Sequence, residues 1–175
     1  MRNFKIDPLH SYVGFRVKHM MITNVNGSFK QFDAKMDAKS DDFSDAQIHF
    51  ECAVESITTN IQDRDDHLKS PDFFDYEQYP VITFKSSGFI KINDSDYKVT
   101  GDLTIKNITL PIELEGKYNG NDIDMHGNVK HGFEMFAKIN RSNFGLTCNA
   151  LSGKGNMLIS EEVKIIINIL MIEIL

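Results

Sequence analysis

The stretch AQIHFECAVES, residues 46–56, sets Ile48, Phe50, Cys52 and Val54 against His49, Glu51 and Glu55. Successive side chains of an extended chain point to opposite faces, so a period of two marks a strand with one buried face. The pattern recurs along the chain. In YVGFRVKH (residues 12–19), Val13, Phe15 and Val17 oppose Arg16 and Lys18. Gly27 reads as a break before FKQFDAKMDA (29–38), where Phe32, Ala34 and Met36 oppose Asp33, Lys35 and Asp37. VITFKSSGFIKI (81–92), YKVTGDLTIKN (97–107), ITLPIELEGKY (108–118), MHGNVKHGFEMFAKINR (125–141) and VKIIINILMIEIL (163–175) supply the remaining strands.

Asn, Asp, Ser and Gly bound these runs, as tight turns require. DSD (94–96) and NGND (119–122) read as hairpin connections, and KNITLP (106–111) turns directly between two strands. IDPLHS (6–11) reads as a rigid lead-in to the first strand, with Asp7-Pro8 starting a turn and Ser11 bonding nearby backbone. Strands joined at hairpin distance imply an antiparallel meander. Closure removes its two exposed edges. The expected fold is therefore all-β: an antiparallel barrel of eight strands or slightly more, with a short helical insert around residues 61–75. Such a barrel either fills with its own side chains or holds one slim ligand. Phe15, Phe32, Met36, Phe50, Phe84, Leu103 and Leu114 face inward, and they suit both outcomes.

The insert contains RDDHLKSPDFFDYEQYP, residues 64–80. Asn60 is placed to cap a helix through residues 61–69, with Asp63 and His67 on one face. Ser70, Pro71 and Asp72 read as a second helix start. At least one of Phe73 and Phe74 then packs inward, making the segment a lid on one end of the barrel. Asp63, Arg64 and His67 also contain the minimum of an acid–base pair. However, the surrounding charges read as a solvated, self-paired surface, and no GxSxG, HExxH or Gly-rich phosphate motif accompanies them.

The whole chain, residues 1–175, has the length of one domain. Its net charge of -6 argues against nucleic acid. The N-terminus has no apolar signal region, so the cytoplasm is the expected compartment. Cys52 and Cys148 are far apart and show no metal or redox spacing, and His10, His19, His49, His67, His126 and His131 show none either. No metal is expected. The apolar C-terminal run is too short for a membrane helix. One of its faces (Ile165, Ile167, Ile169) is expected to line the barrel. The other (Ile166, Leu170, Ile172) needs a cover, for which a homodimer is the simplest source.

Five blocks then carry a resemblance: IDPLHSYVGFRVKHM, GSFKQFD, SITTNIQDRDDHLKSPDFFDYEQYPVITFKS, GDLTIKNITLPIEL and INRSNFGL. In this order they resemble the YceI-like family, nearly end to end. The resemblance implies an extended lipocalin-like barrel. Its elongated cavity would take a polyisoprenoid or similar amphiphile: an isoprenoid quinone, a prenyl phosphate, or a fatty acid or amide. It supplies no catalytic residue and no cofactor beyond the bound lipid. Many members carry a secretion signal, from which this chain departs, as it does in having Phe4 where Trp or Tyr is common.

The expected ligand wall is Phe15, Val17, Phe32, Met36, Phe50, Val54, Phe84, Leu103 and Leu114, under Phe73 and Phe74. Arg64, His67 and Arg141 are the candidate contacts of a polar head, and each is equally suited to anchor the lid or a turn. The alternative is an enzyme acting on a hydrophobic or isoprenoid substrate through Asp63, Arg64 and His67.

Overall fold

The computed structural model describes residues 1–150, 153–155 and 158–175. Its strands, in chain order, are β1 (Arg2–Ile6), β2 (Tyr12–His19), β3 (Thr23–Phe29), β4 (Phe32–Ala38), β5 (Gln47–Ala53) and β6 (Ile57–Thr58). After the helix α1 (Gln62–Lys69) come β7 (Val81–Lys91), β8 (Asp96–Ile105), β9 (Ile108–Ile123), β10 (Val129–Asn140) and β11 (Glu162–Ile174). Eight of them close an antiparallel barrel in the order β1-β4-β5-β7-β8-β9-β10-β11, with β11 returning to β1. The other three lengthen its walls. β11 pairs with β1 through residues 171–174 and with β2 through residues 164–168, so β1 and β2 are two halves of one wall strand. β3–β4 and β5–β6 continue each other in the same way.

The break between β1 and β2 is where IDPLHS sits, so this motif is a kink within a wall and not a lead-in. Proline fixes its own φ and brings no N–H, which suits the first turn of a short helix. Pro8–His10 forms a 3-10 turn, with Asp7 Oδ1 accepting from Leu9 N at 3.2 Å. Asp7 N donates to Leu170 O (2.8 Å) and Leu170 N to Ser11 Oγ (3.0 Å), which carries the pairing to β11 across the bulge. β1 itself, only five residues long, lies ahead of the expected first strand and buries Phe4 and Ile6.

Two turn assignments also move. NGND lies inside β9, where Gly120 at φ 102° accompanies a register shift opposite Gly132–Phe133, and the hairpin forms at residues 124–128 instead. Gly27 lies within β3 opposite Phe15. A Cβ there would come within 2.2 Å of the Phe15 ring, so the glycine serves close packing.

One end of the barrel is solid. Phe4, Phe43, Tyr118, His131 and Phe133 meet edge to face or tilted at centroid distances of 5.1–5.8 Å, the preferred aromatic geometry. Phe43 comes from the β4–β5 loop and is 1% exposed with φ at 60°. Its loop is tied by Asp45, whose carboxylate accepts from Lys39 N and Ser40 N, and by the Tyr97 hydroxyl donating to Asp42 O. Arg2 lies over the Phe4 and Phe43 rings at 5.4 and 5.3 Å. Burial holds the His131 imidazole below its usual pKa, against the opposing pull of Glu173.

Candidate functional site

Beyond this plug the inward residues become mostly aliphatic, with Phe15, Phe29, Phe50 and Phe84 among them. Ala34, Ile48, Ile82, Leu103, Leu114 and Ile167 surround a cavity of about 620 Å³, within the usual range for small-molecule sites. Most of its lining is apolar. The polar residues on it, among them Lys18, His19, Thr59, Asp63, Arg64, His67 and Asn149, belong to the mouth, where α1 and the segment after β10 cover the barrel.

Of the expected wall residues, Phe15, Val17, Phe50, Phe84, Leu103 and Leu114 line the cavity, and Phe73, Phe74, Arg64, His67 and Arg141 lie along its mouth. Three do not reach it. Met36, 1% exposed, packs in the core layer of β4 opposite Phe4. Val54 is buried in a 3-10 turn whose N–H bonds Pro80 O, and Phe32 packs on the core at the β4 end opposite Cys52. Period-two alternation places side chains inside but says nothing of depth, so plug and cavity residues look alike in sequence. Ile165, Ile167 and Ile169 line the cavity as well. So do Val25, Ile112, Met135 and Ile139, together with Leu146, Cys148, Leu158 and Ile159 from the mouth segment, none of which sequence reasoning picked out. The last four follow no alternation.

The start of α1 is held by side-chain bonds to Thr59 and not by the expected Asn60 cap. Asn60, at φ 65°, turns the chain, and the N-cap position falls on Ile61 with no side-chain bond. The order comes instead from Asp65, 7% exposed, whose Oδ1 accepts from Thr59 N (2.7 Å) and Thr59 Oγ1 (2.6 Å). Arg64 completes this knot, donating from Nε to Thr59 Oγ1 (2.7 Å) and from Nη2 to Thr59 O (2.9 Å). Ser70 ends α1 as its C-cap and donates to His67 O at 2.6 Å, so Ser70-Pro71-Asp72 is a stop with a following turn, not a second helix. Phe74 then meets Phe29 edge to face at 6.2 Å.

Arg141 is engaged even more fully. It is 3% exposed, and its guanidinium donates to the carbonyls of Ser160 (3.0 Å), Cys148 (3.1 Å), Ile159 (3.4 Å) and Leu146, with Glu161 at 3.6 Å. A planar fork of donors suits a cluster of carbonyls. Arg141 therefore ties the mouth segment down. His67 Nε2 lies 2.9 Å from Asp72 Oδ2, with its ring edge to face against Phe73 at 5.1 Å. His126 is exposed on the 124–128 turn while His131 is buried in the plug, hydrogen-bonded to the Tyr118 hydroxyl at 2.9 Å. Cys52 faces the cavity with its thiol pushed up to about 12 by burial, which leaves it protonated and unreactive. No helix among the described residues is long and apolar enough to cross a membrane.

Known proteins share both the sequence and the barrel. A Staphylococcus aureus protein of the UPF0312 group (strain MSSA476) is 36% identical over 165 residues, covering 94% of each chain. The crystal structure of a Campylobacter jejuni YCEI protein has a TM-score of 0.76 at 32% identity, covering 90% of each chain. BcnA of Burkholderia cenocepacia shares the fold with a TM-score of 0.81 at 24% identity, over 94% of this chain and 98% of that one. A polyisoprenoid binding domain from Saccharophagus degradans shares it with a TM-score of 0.68 at 12% identity, covering 97% of each chain. The YceI-like domain model matches residues 4–171, from the plug strand β1 to the last turn of the barrel wall in β11. With sequence and barrel in agreement, the chain belongs to the YceI-like family.

Proposed function

We propose that the protein binds or carries a long-chain amphiphile, an isoprenoid by preference, with the tail inside the barrel and the head at the mouth, and does not transform it. The observation that carries this reading is the division of the cavity: apolar wall within, polar residues confined to the rim. The Saccharophagus degradans neighbour, described as a polyisoprenoid binding domain, supports the ligand class.

Burying apolar groups gains about 0.8 kcal/mol per CH₂, so each five-carbon unit contributes roughly 3–4 kcal/mol gross. Ordering the chain takes much of this back. An apolar tube also discriminates weakly, since one methylene is worth about 1–3 kcal/mol. Selectivity is then mainly by length. With Arg141 fully engaged by carbonyls, the head meets His67, Lys18 or the remaining edge of Arg64.

Organic extraction of purified protein followed by mass spectrometry tests the reading. One equivalent of a prenyl or fatty amphiphile is expected, recovered unchanged after incubation. A protein that takes up neither class would overturn it. The outer face of β11 (Ile166, Leu170, Ile172) beside Phe136 is the face on which a second copy would sit. Sedimentation showing only monomer at high concentration would remove that part.

A further inference from the structure

Three potential metal donors meet at the cavity mouth from two distant parts of the chain. His67 lies in the last turn of α1, Asp72 follows the Ser70-Pro71 stop, and Cys148 lies on the mouth segment, and one donor atom from each falls within 4.8 Å of the other two. We propose that His67, Asp72 and Cys148 form a binding site for a divalent transition metal of the zinc class.

The donor set is selective by chemistry. Imidazole nitrogen, carboxylate oxygen and thiolate sulfur together suit zinc, whereas magnesium and calcium take oxygen ligands. Bond lengths of about 2.0–2.3 Å around a tetrahedral ion require donor separations of roughly 3.3–3.6 Å. His67 and Asp72, at 2.9 Å, already share a hydrogen bond that an ion would replace. The thiol closes the remaining gap by torsion of exposed side chains, since His67 and Asp72 are 52% and 64% exposed. The backbone behind the thiol is fixed, because Arg141 Nη1 holds Cys148 O at 3.1 Å. His67 is likewise steadied by the Phe73 ring.

Three protein donors leave one position of a tetrahedral ion for water or another ligand, unlike a closed structural site. His67 and Cys148 both line the cavity, which puts the ion at its rim. Binding releases the Cys148 thiol proton to solvent, so affinity rises with pH. Cys52, the other cysteine, is buried on the wall of the barrel and serves as an internal control.

The test uses the full chain, stripped by chelator, kept reduced and titrated with cobalt(II). One equivalent should bind with a thiolate-to-cobalt charge-transfer band and tetrahedral d–d bands, and zinc should displace it. Cys148→Ser should lose the charge-transfer band, while Cys52→Ser keeps it. His67→Ala and Asp72→Asn should each weaken binding at least about tenfold. Zinc should also slow alkylation of Cys148 in the wild-type protein, which needs no variant. A folded wild-type protein without the band, a band that survives Cys148→Ser, or alkylation that zinc does not slow would each overturn the site. None of these readouts involves the amphiphile, so the metal site and the lipid-binding reading stand or fall separately.

Discussion

The solid end of the barrel and its hollow end are built from the same strands, a few residues apart along each. β10 supplies His131 and Phe133 to the plug and then Met135 and Ile139 to the cavity wall, while β8 supplies Tyr97 and Val99 before Leu103 and Ile105. Closing a sheet fixes the perimeter; whether the interior is filled depends on the side-chain volume brought into each layer. At the solid end the strands bring rings, and the β4–β5 loop adds Phe43 to fill the remaining space. At the hollow end the inward residues are mostly aliphatic, and the rings among them, Phe15, Phe50 and Phe84, border the space without filling it.

The comparison can be broken by reversing volumes. Phe43→Ala should cost about 3–5 kcal/mol, because the ring leaves a cavity among packed neighbours; a small shift of the denaturant midpoint would mean the plug is loose. Leu103→Ala should cost about 2 kcal/mol, the low end for a buried leucine, since that side chain already borders open space. A loss equal to that at Phe43 would erase the distinction between the ends. Enlargement should separate them further. Leu114→Phe should change stability by less than about 1 kcal/mol, whereas extra volume in a filled core costs about 1–3 kcal/mol. It should also reduce uptake of the longest amphiphiles, read by extraction and mass spectrometry.

The smallest effect is electrostatic and belongs to the plug. His131 has its pKa lowered in the folded state by burial, so the unfolded chain binds its proton more readily. Its contribution is complete above the unfolded value of about 6.5 and fades as the pH falls through that value toward the folded pKa. The melting temperature should therefore drop on mild acidification, and His131→Gln should flatten that slope. An unchanged slope would assign the acid response to groups other than His131; Asp7 and Asp124, with pKa values lowered from 3.8, respond only in stronger acid.

The closed barrel was legible in the sequence because a half-buried strand writes its period locally. What depends on register was not. Met36 and Phe50 alternate identically on their strands, yet one lies in the packed core and the other lines the cavity. β1 was too short to announce itself, and NGND carries turn residues that a strand absorbed through a bulge at Gly120. In the insert the sequence identified a charged lid but chose the wrong pins: the holding residues are Asp65 and Thr59, with Asn60 merely turning the chain. Head contact and anchor were equally open for Arg141 because its partners are carbonyls, which side-chain letters do not reveal. The nearness of Cys148 to His67 is likewise a product of the fold that their distant places in the sequence do not reveal.

Because the plug seals one end, the cavity is a cul-de-sac. Nothing can push an occupant out from behind, and a newcomer cannot share the passage with the molecule already inside. For the proposed amphiphile, exchange would run in single file, tail first on the way in and head first on the way out, at a pace set by departure. A competitor added in excess should therefore leave the release rate untouched.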